Sequence, residues 1–396
     1  MAASGVEGAL LIELRRSGDK VGSVTISSSR PLQLPRLFVG KGAAEVCGML
    51  PLLYSVCGLA QGYAAALAFE QALAIDPSPQ TDRLRRSLIA FESIREHLWR
   101  IEIDWARALG LEADRLPLSR LLALMARFRA TLFGEQDPFF PGASPTHASR
   151  STMLEIVTEL ESLLAGALFG CSPAVWLQRM DGGGFSGWIE KGQRPAQLLL
   201  RQLRHDGEGR LGAAGVEAMG DLDRDLLHLR LTAPDADEFI ARPDWLGRVP
   251  ETTAYSRRMQ LPAVAQLTAE HGDGVLPRLF ARVVEIALLS SELHSGIADP
   301  ERSSEETFGR NGLAPGVGLA QVETARGRLV HRVELAGERV GRYQILAPTE
   351  WNFHPRGVLA RALLGMPAAS EAELRRRADL LINAIDPCVG YRVVVN

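Results

Sequence analysis

The chain has 396 residues, enough for one large domain or two ordinary ones, and its 46% apolar and 23% charged residues match a globular chain that buries a core without staples. Lys and Arg number 44 against 47 Asp and Glu, a formal net charge of −3, so there is no broad positive field to hold a nucleic-acid backbone. The four cysteines, Cys47, Cys57, Cys171 and Cys388, contain no Cys-x-x-Cys pair, which signals neither a disulfide framework nor a zinc ribbon.

Met1 to Ser17 has no basic stretch followed by an apolar one, and Glu7 and Glu13 interrupt its apolar run, so a cytoplasmic chain is expected. Ala9 to Leu14 and Val21 to Ser27 are β-prone runs on either side of Ser17-Gly18-Asp19, which predicts a hairpin. Helical spacing follows in Leu84, Leu88, Phe91, Leu98, Ile101 and Trp105, and further helices are expected over Leu118–Leu132, Met153–Phe169 and Pro195–His205. Gly182-Gly183-Gly184 reads as a surface loop; with no strand before it, it is not a phosphate-binding loop. Val275 to Leu293 is strongly apolar but carries Arg278, Arg282 and Glu285, which suits a buried helix and not a membrane span, so no membrane insertion is expected. Asp299 to Gly312 has loop composition. A second hairpin is predicted where Leu329–Leu335 and Arg339–Leu346 flank Ala336-Gly337-Glu338, and a last helix over Glu371–Ile385. Helices confined between two β-prone ends predict one α+β, mostly helical body.

Asp386-Pro387 has the composition of a helix start, with Asp as N-cap and Pro in the first turn. A cysteine just inside such a start, Cys388, would face free backbone N–H groups that favour a metal-binding thiolate. The competing reading is a small buried thiol, which is also the reading for Cys47 and Cys171. His97, His228, His271 and His294 lie on helical patterns beside charged residues and read as surface or paired core histidines.

Taken together, the terminal quarter resembles the large subunit of nickel-iron hydrogenases. Glu323-Thr324-Ala325-Arg326-Gly327 is similar to that family's Glu-Ala-Pro-Arg-Gly, and Tyr343-Gln344 to its Tyr-Gln. Pro348-Thr349-Glu350-Trp351-Asn352 is similar to Pro-Thr-Thr-Trp-Asn; Pro355-Arg356 and Asp386-Pro387-Cys388 follow in the family's order. Near the other end, Glu7-Gly8 resembles Glu-Gly-His, and Val56-Cys57-Gly58 resembles the family's Arg-Ile-Cys-Gly-x-Cys. The stretch from about residue 80 to 300 matches no family motif. The resemblance implies a single hydrogenase large-subunit-like domain over residues 1–396: a hairpin region (1–35), a helical body (55–312), and a C-terminal part (313–396) with hairpin, pocket loops and terminal helix.

In that family two Cys-x-x-Cys pairs, each followed by a histidine, hold nickel and iron. Here Ala60 and Ala64 stand at the second-cysteine and histidine positions after Cys57, and Tyr391 and Val394 at those after Cys388. The missing cysteines are those that bridge the two metals, so neither nickel binding nor hydrogen turnover is expected; Cys57 and Cys388 match the terminal nickel ligands. The resemblance gives Arg326 and Thr349 the role of cyanide donors, Ala347 and Pro348 that of an apolar wall toward carbon monoxide, and Glu7 that of a supporting carboxylate. It implies an accessory protein of the HupK/HoxV type: a scaffold that transiently holds an iron fragment with cyanide and carbon monoxide, using Cys57 and Cys388, with maturation proteins and the large-subunit precursor as partners. The alternative is a metal-free interaction protein in which the motifs survive as loops. A divergent oxidoreductase with another metal ranks third. The family's C-terminal extension has no counterpart after Val394, so no cleavage is expected and Asn396 should remain.

Overall fold

The computed structural model describes residues 8–54, 56–146, 148–299 and 313–396, so Glu7 and all but the first residue of the loop expected over Asp299–Gly312 lie outside the described residues. Alternation builds the first strand: Leu10, Ile12 and Leu14 are buried along one face of β1 (Ala9–Ser17). Gly18 and Asp19 turn the chain into β2 (Lys20–Ser28), antiparallel to β1 from Leu10↔Ser28 to Ser17↔Lys20. A strap over residues 29–42 then leads to α1 (Ala43–Leu53) and α2 (Gly58–Ala72). The next helix, α3 (Pro79–Trp99), begins where Ser78 Oγ accepts the Thr81 N–H at 3.1 Å and Pro79 fills the first turn. It runs on through a π-helical turn at Arg100–Trp105.

The helices α4 (Leu116–Phe133), α5 (Arg150–Leu164) and α6 (Pro195–His205) follow the predicted spans, and Gly182-Gly183-Gly184 forms a tight turn between two short helices. At the centre lies α7 (Val275–Ala298), buried without a break from Val275 to Ala287. Its charged residues stay inside because each is paired, since an unpaired buried charge is strongly destabilising. Arg278 binds Glu251, and Glu285 is held by His97 at 2.9 Å, Arg257 at 2.8 Å and Arg258 at 3.3 Å. Among the described residues no single helix is long and apolar enough to cross a membrane.

The second sheet is antiparallel, in the order β3 (Val317–Thr324), β4 (Gly327–Ala336), β5 (Arg339–Leu346). The β4–β5 hairpin is the predicted one, whereas β3 was not predicted. Its sequence alternates poorly, and it becomes a strand through pairing with β4 and close backbone packing on α2. A Cβ added at Gly318 would lie 1.8 Å from the Ala68 carbonyl oxygen. The short helix α8 (Pro348–Asn352) and the longer α9 (Glu371–Ile385) come after β5.

The expected helix start at Asp386-Pro387-Cys388 is wrong. Asp386 instead ends α9 in the left-handed region at φ 67°, and the chain leaves as β6 (Gly390–Val395), parallel to β1 from Ala9↔Gly390 to Leu14↔Val395. Two forces outweigh the capping signal. The Asp386 carboxylate is drawn inward by Arg100 at 2.7 Å, and the Val-rich tail completes the sheet in the order β2-β1-β6. The two chain ends with family-like motifs thus meet in one sheet.

Candidate functional site

Cys57 is the N-cap residue of α2. Two of the free N–H groups that this helix start offers are already taken: Glu92 of α3 accepts those of Leu59 and Ala60 at 2.8 and 3.0 Å. Burial therefore dominates and pushes the Cys57 thiol up to about 12; Cys388 and Glu92 push the same way, against Arg326 and a hydrogen bond from Gln61. The Gln61 amide donates to the Cys57 sulfur at 3.6 Å, while its carbonyl oxygen accepts from His331 Nε2 at 2.8 Å. His331 is fully buried, held neutral by burial, and accepts the Tyr343 hydroxyl at Nδ1 over 2.8 Å.

Cys388 sits in the elbow between α9 and β6, with its sulfur 3.1 Å from the Thr349 hydroxyl. Asp386 fixes that elbow. Burial alone would raise its carboxyl, but Arg100, Arg326 and Arg282 overcome this and hold it well below the usual carboxylate range. Arg100 also donates to the Pro387 carbonyl at 2.9 Å.

Arg326 occupies the tight turn between β3 and β4, where Gly327 has φ +129° and a Cβ would lie 1.7 Å from the Thr252 carbonyl oxygen. It is buried, donates from Nη2 to Glu96 at 2.8 Å, and lies 3.5 Å from Asp386. Asn352, the last residue of α8, accepts the Thr252 N–H at 2.9 Å and donates to the Arg326 carbonyl at 3.1 Å. The Pro348–Asn352 segment therefore supplies Thr349 and also orients the turn that carries Arg326.

Cys57, Cys388, Arg326, Ala347 and Pro348 all line one cavity, and Thr349 joins it through its bond to Cys388. The cavity has a volume of about 40 Å³. Arg30 and Glu350, which sequence reasoning missed, line it too. Arg30 comes from the strap after β2 and donates from Nη1 to Glu350 Oε1 at 2.6 Å. Glu350 was visible only as Glu in place of the second Thr of Pro-Thr-Thr-Trp-Asn; nothing in the sequence named its partner. Among the described residues no group of three or more His, Cys, Asp or Glu is placed to hold a metal ion.

A family model for nickel-dependent hydrogenase matches residues 254–391. The hydrogenase expression/formation protein HoxV of Cupriavidus necator is 32% identical over 93% of this chain and 92% of its own length. HupK of Azotobacter vinelandii, described in the same words, is 34% identical over 98% of both chains. The chain belongs to the HoxV/HupK family of hydrogenase expression/formation proteins. A solved [NiFeSe]-hydrogenase of Dm. baculatum has the same fold, with a TM-score of 0.66 and 94% of each chain covered at 15% identity.

Within this HoxV/HupK chain, the residues expected at the family's second-cysteine and histidine positions pack like ordinary side chains. Ala60 and Ala64 are fully buried on α2, and Tyr391 bonds Asp379. Cys47 is buried as expected; Cys171 is half-buried, with its sulfur 3.6 Å from Arg179, a correction to the expected buried thiol. His97 and His294 are paired, with Glu285 at 2.9 Å and Glu161 at 3.1 Å.

Proposed function

We propose that this chain is a cytoplasmic, non-catalytic scaffold in nickel-iron hydrogenase maturation, which holds an iron fragment bearing cyanide and carbon monoxide before it passes to the large-subunit precursor. The observation that carries this reading is the donor set of the cavity: two thiols, buried guanidinium and hydroxyl donors, apolar walls, and, among the described residues, no group of three or more His, Cys, Asp or Glu placed to hold a metal ion. A bare ion would lack ligands here. An iron that arrives with its own diatomic ligands needs only two soft sulfurs to fill its shell. Cys57 and Cys388 would bind the iron, Arg326 and Thr349 would donate to the cyanides, and Ala347 and Pro348 would face the carbonyl. The Thr349 hydroxyl, now spent on Cys388, is free to turn once that sulfur is ligated. Because burial keeps Cys57 protonated, capture releases protons, and a partner that reprotonates the sulfurs favours release.

The test is metal analysis and infrared spectroscopy of protein purified anaerobically from its host. Iron with cyanide and carbonyl bands is expected, with no stoichiometric nickel. Cys57→Ala and Cys388→Ala should abolish the bands, whereas Cys47→Ala and Cys171→Ala should retain them at comparable melting temperatures. Nickel near one per chain would sink the proposal. Active protein without iron or bands would replace it with the metal-free interaction protein.

A further inference from the structure

The Arg30–Glu350 pair is only half used. Arg30 commits a single N–H to Glu350, and among the described residues its other four N–H groups have no acceptor. Glu350 keeps its second oxygen, Oε2, buried with no hydrogen-bond partner. Glu350 Oε2 is the buried atom left unmet, although a two-pronged contact with the guanidinium would satisfy it and an unmet polar atom in a low-dielectric site is destabilising. The open groups lie on the wall of the cavity that also holds Cys57 and Cys388.

Arg326, the other guanidinium lining this cavity, already faces two carboxylates. It is shared between Glu96 at 2.8 Å and Asp386 at 3.5 Å. A ferrous ion with two cyanides and two thiolates carries excess negative charge, which in a dry site calls for another donor beyond Arg326. Arg30 is within coulombic reach of both sulfurs.

We propose that Arg30 is a second cationic anchor for the anionic ligands of the iron fragment, held ready by Glu350 while the cavity is empty. This rests on the iron-holding reading above. When the fragment enters, the unused N–H groups of Arg30 donate to a cyanide nitrogen on the side away from Arg326, and the strap that carries Arg30 is thereby fastened over the site. The ligand class is an end-on anion on a metal; a neutral carbonyl gains little from a guanidinium, so the pair also selects the orientation of the fragment.

The experiment compares wild type, Arg30→Lys, Glu350→Gln and the double variant Arg30→Met/Glu350→Gln, each purified anaerobically from the host. The double variant removes the pair without stranding a charge. It should retain about tenfold less iron, the equivalent of one charge-assisted hydrogen bond, and its remaining cyanide bands should shift more than its carbonyl band. Arg30→Lys should restore most of the iron. Glu350→Gln covers the case in which the double variant fails to fold: with the carboxylate gone Arg30 turns further to the ligand, so the cyanide bands should again move. Wild-type iron content with unmoved cyanide bands in both Glu350 variants overturns the role of Arg30 alone. A wild type without any such bands overturns the iron-holding reading, and this inference with it.

Discussion

His331 lies between Tyr343, 12 residues away, and Gln61, 270 residues away, and through Gln61 it fixes a hydrogen bond onto the Cys57 sulfur. Burial lowers its pKa to about 3, against about 6.5 in an unfolded chain. The unfolded state therefore binds a proton that the folded state refuses. Stability from this residue is complete above about pH 6.5 and falls by up to about 1.4 kcal/mol per pH unit as pH drops toward 3. His354, lowered to about 4, and His97, also lowered, act in the same direction. Replacing His331 with Gln, which keeps an amide donor and acceptor, should flatten the loss in urea midpoint between pH 7 and 5; an unchanged slope would contradict this account. None of these partners was legible in the sequence, because a buried polar pair has no local signal when its members lie on different elements. Cys57, Cys388, Arg326 and Thr349 were legible because each stands in a short motif whose neighbours are also spaced as the family's are. Arg30 and Glu92 stand in no such motif, yet one reaches into the cavity and the other caps the helix that presents Cys57.

At the level of elements, long amphipathic helices and the two hairpins could be read directly, since their periodicity and turn residues are local. The strands β3 and β6 were not read: β3 because β4 and α2 supply what its own sequence lacks, and β6 because the Asp386-Pro387 helix-start signal masked its Val-rich run. Misreading Asp386-Pro387 as a cap followed from the same blindness, as three arginines from distant helices and turns decide where that carboxylate points. Contact between β3 and α2 matters for the site because α2 carries Cys57 at its start. Gly318→Ala would drive a methyl into the Ala68 carbonyl and push the two elements apart. An overpacking cost of about 1–3 kcal/mol is expected by chemical denaturation, together with reduced iron retention. Unchanged stability would mean that the helix and strand shift without resistance.

For the molecule as a whole, the first sheet is the closure. β6 donates and accepts along β1, Asn396 accepts the Arg16 N–H at 3.0 Å and donates to Leu14 at 2.8 Å, and Arg375 of α9 binds the Val393 carbonyl at 2.6 Å. Deleting residues 390–396 should leave one side of β1 open, lower the melting temperature by several degrees and speed alkylation of Cys388. If Cys388 reacts no faster, the strand does not hold the elbow. The pairing also has a consequence in time. Position 388 is made 331 residues after position 57, a delay of roughly 20–70 s at about 5–20 residues per second of synthesis. Throughout that interval the first strand waits without its parallel neighbour and the first sulfur without the second, so a nascent chain has no complete cavity. In the scaffold proposed above, cargo would therefore bind only after residue 388 has been made and β6 has paired with β1, an order written into which strand pairs with which.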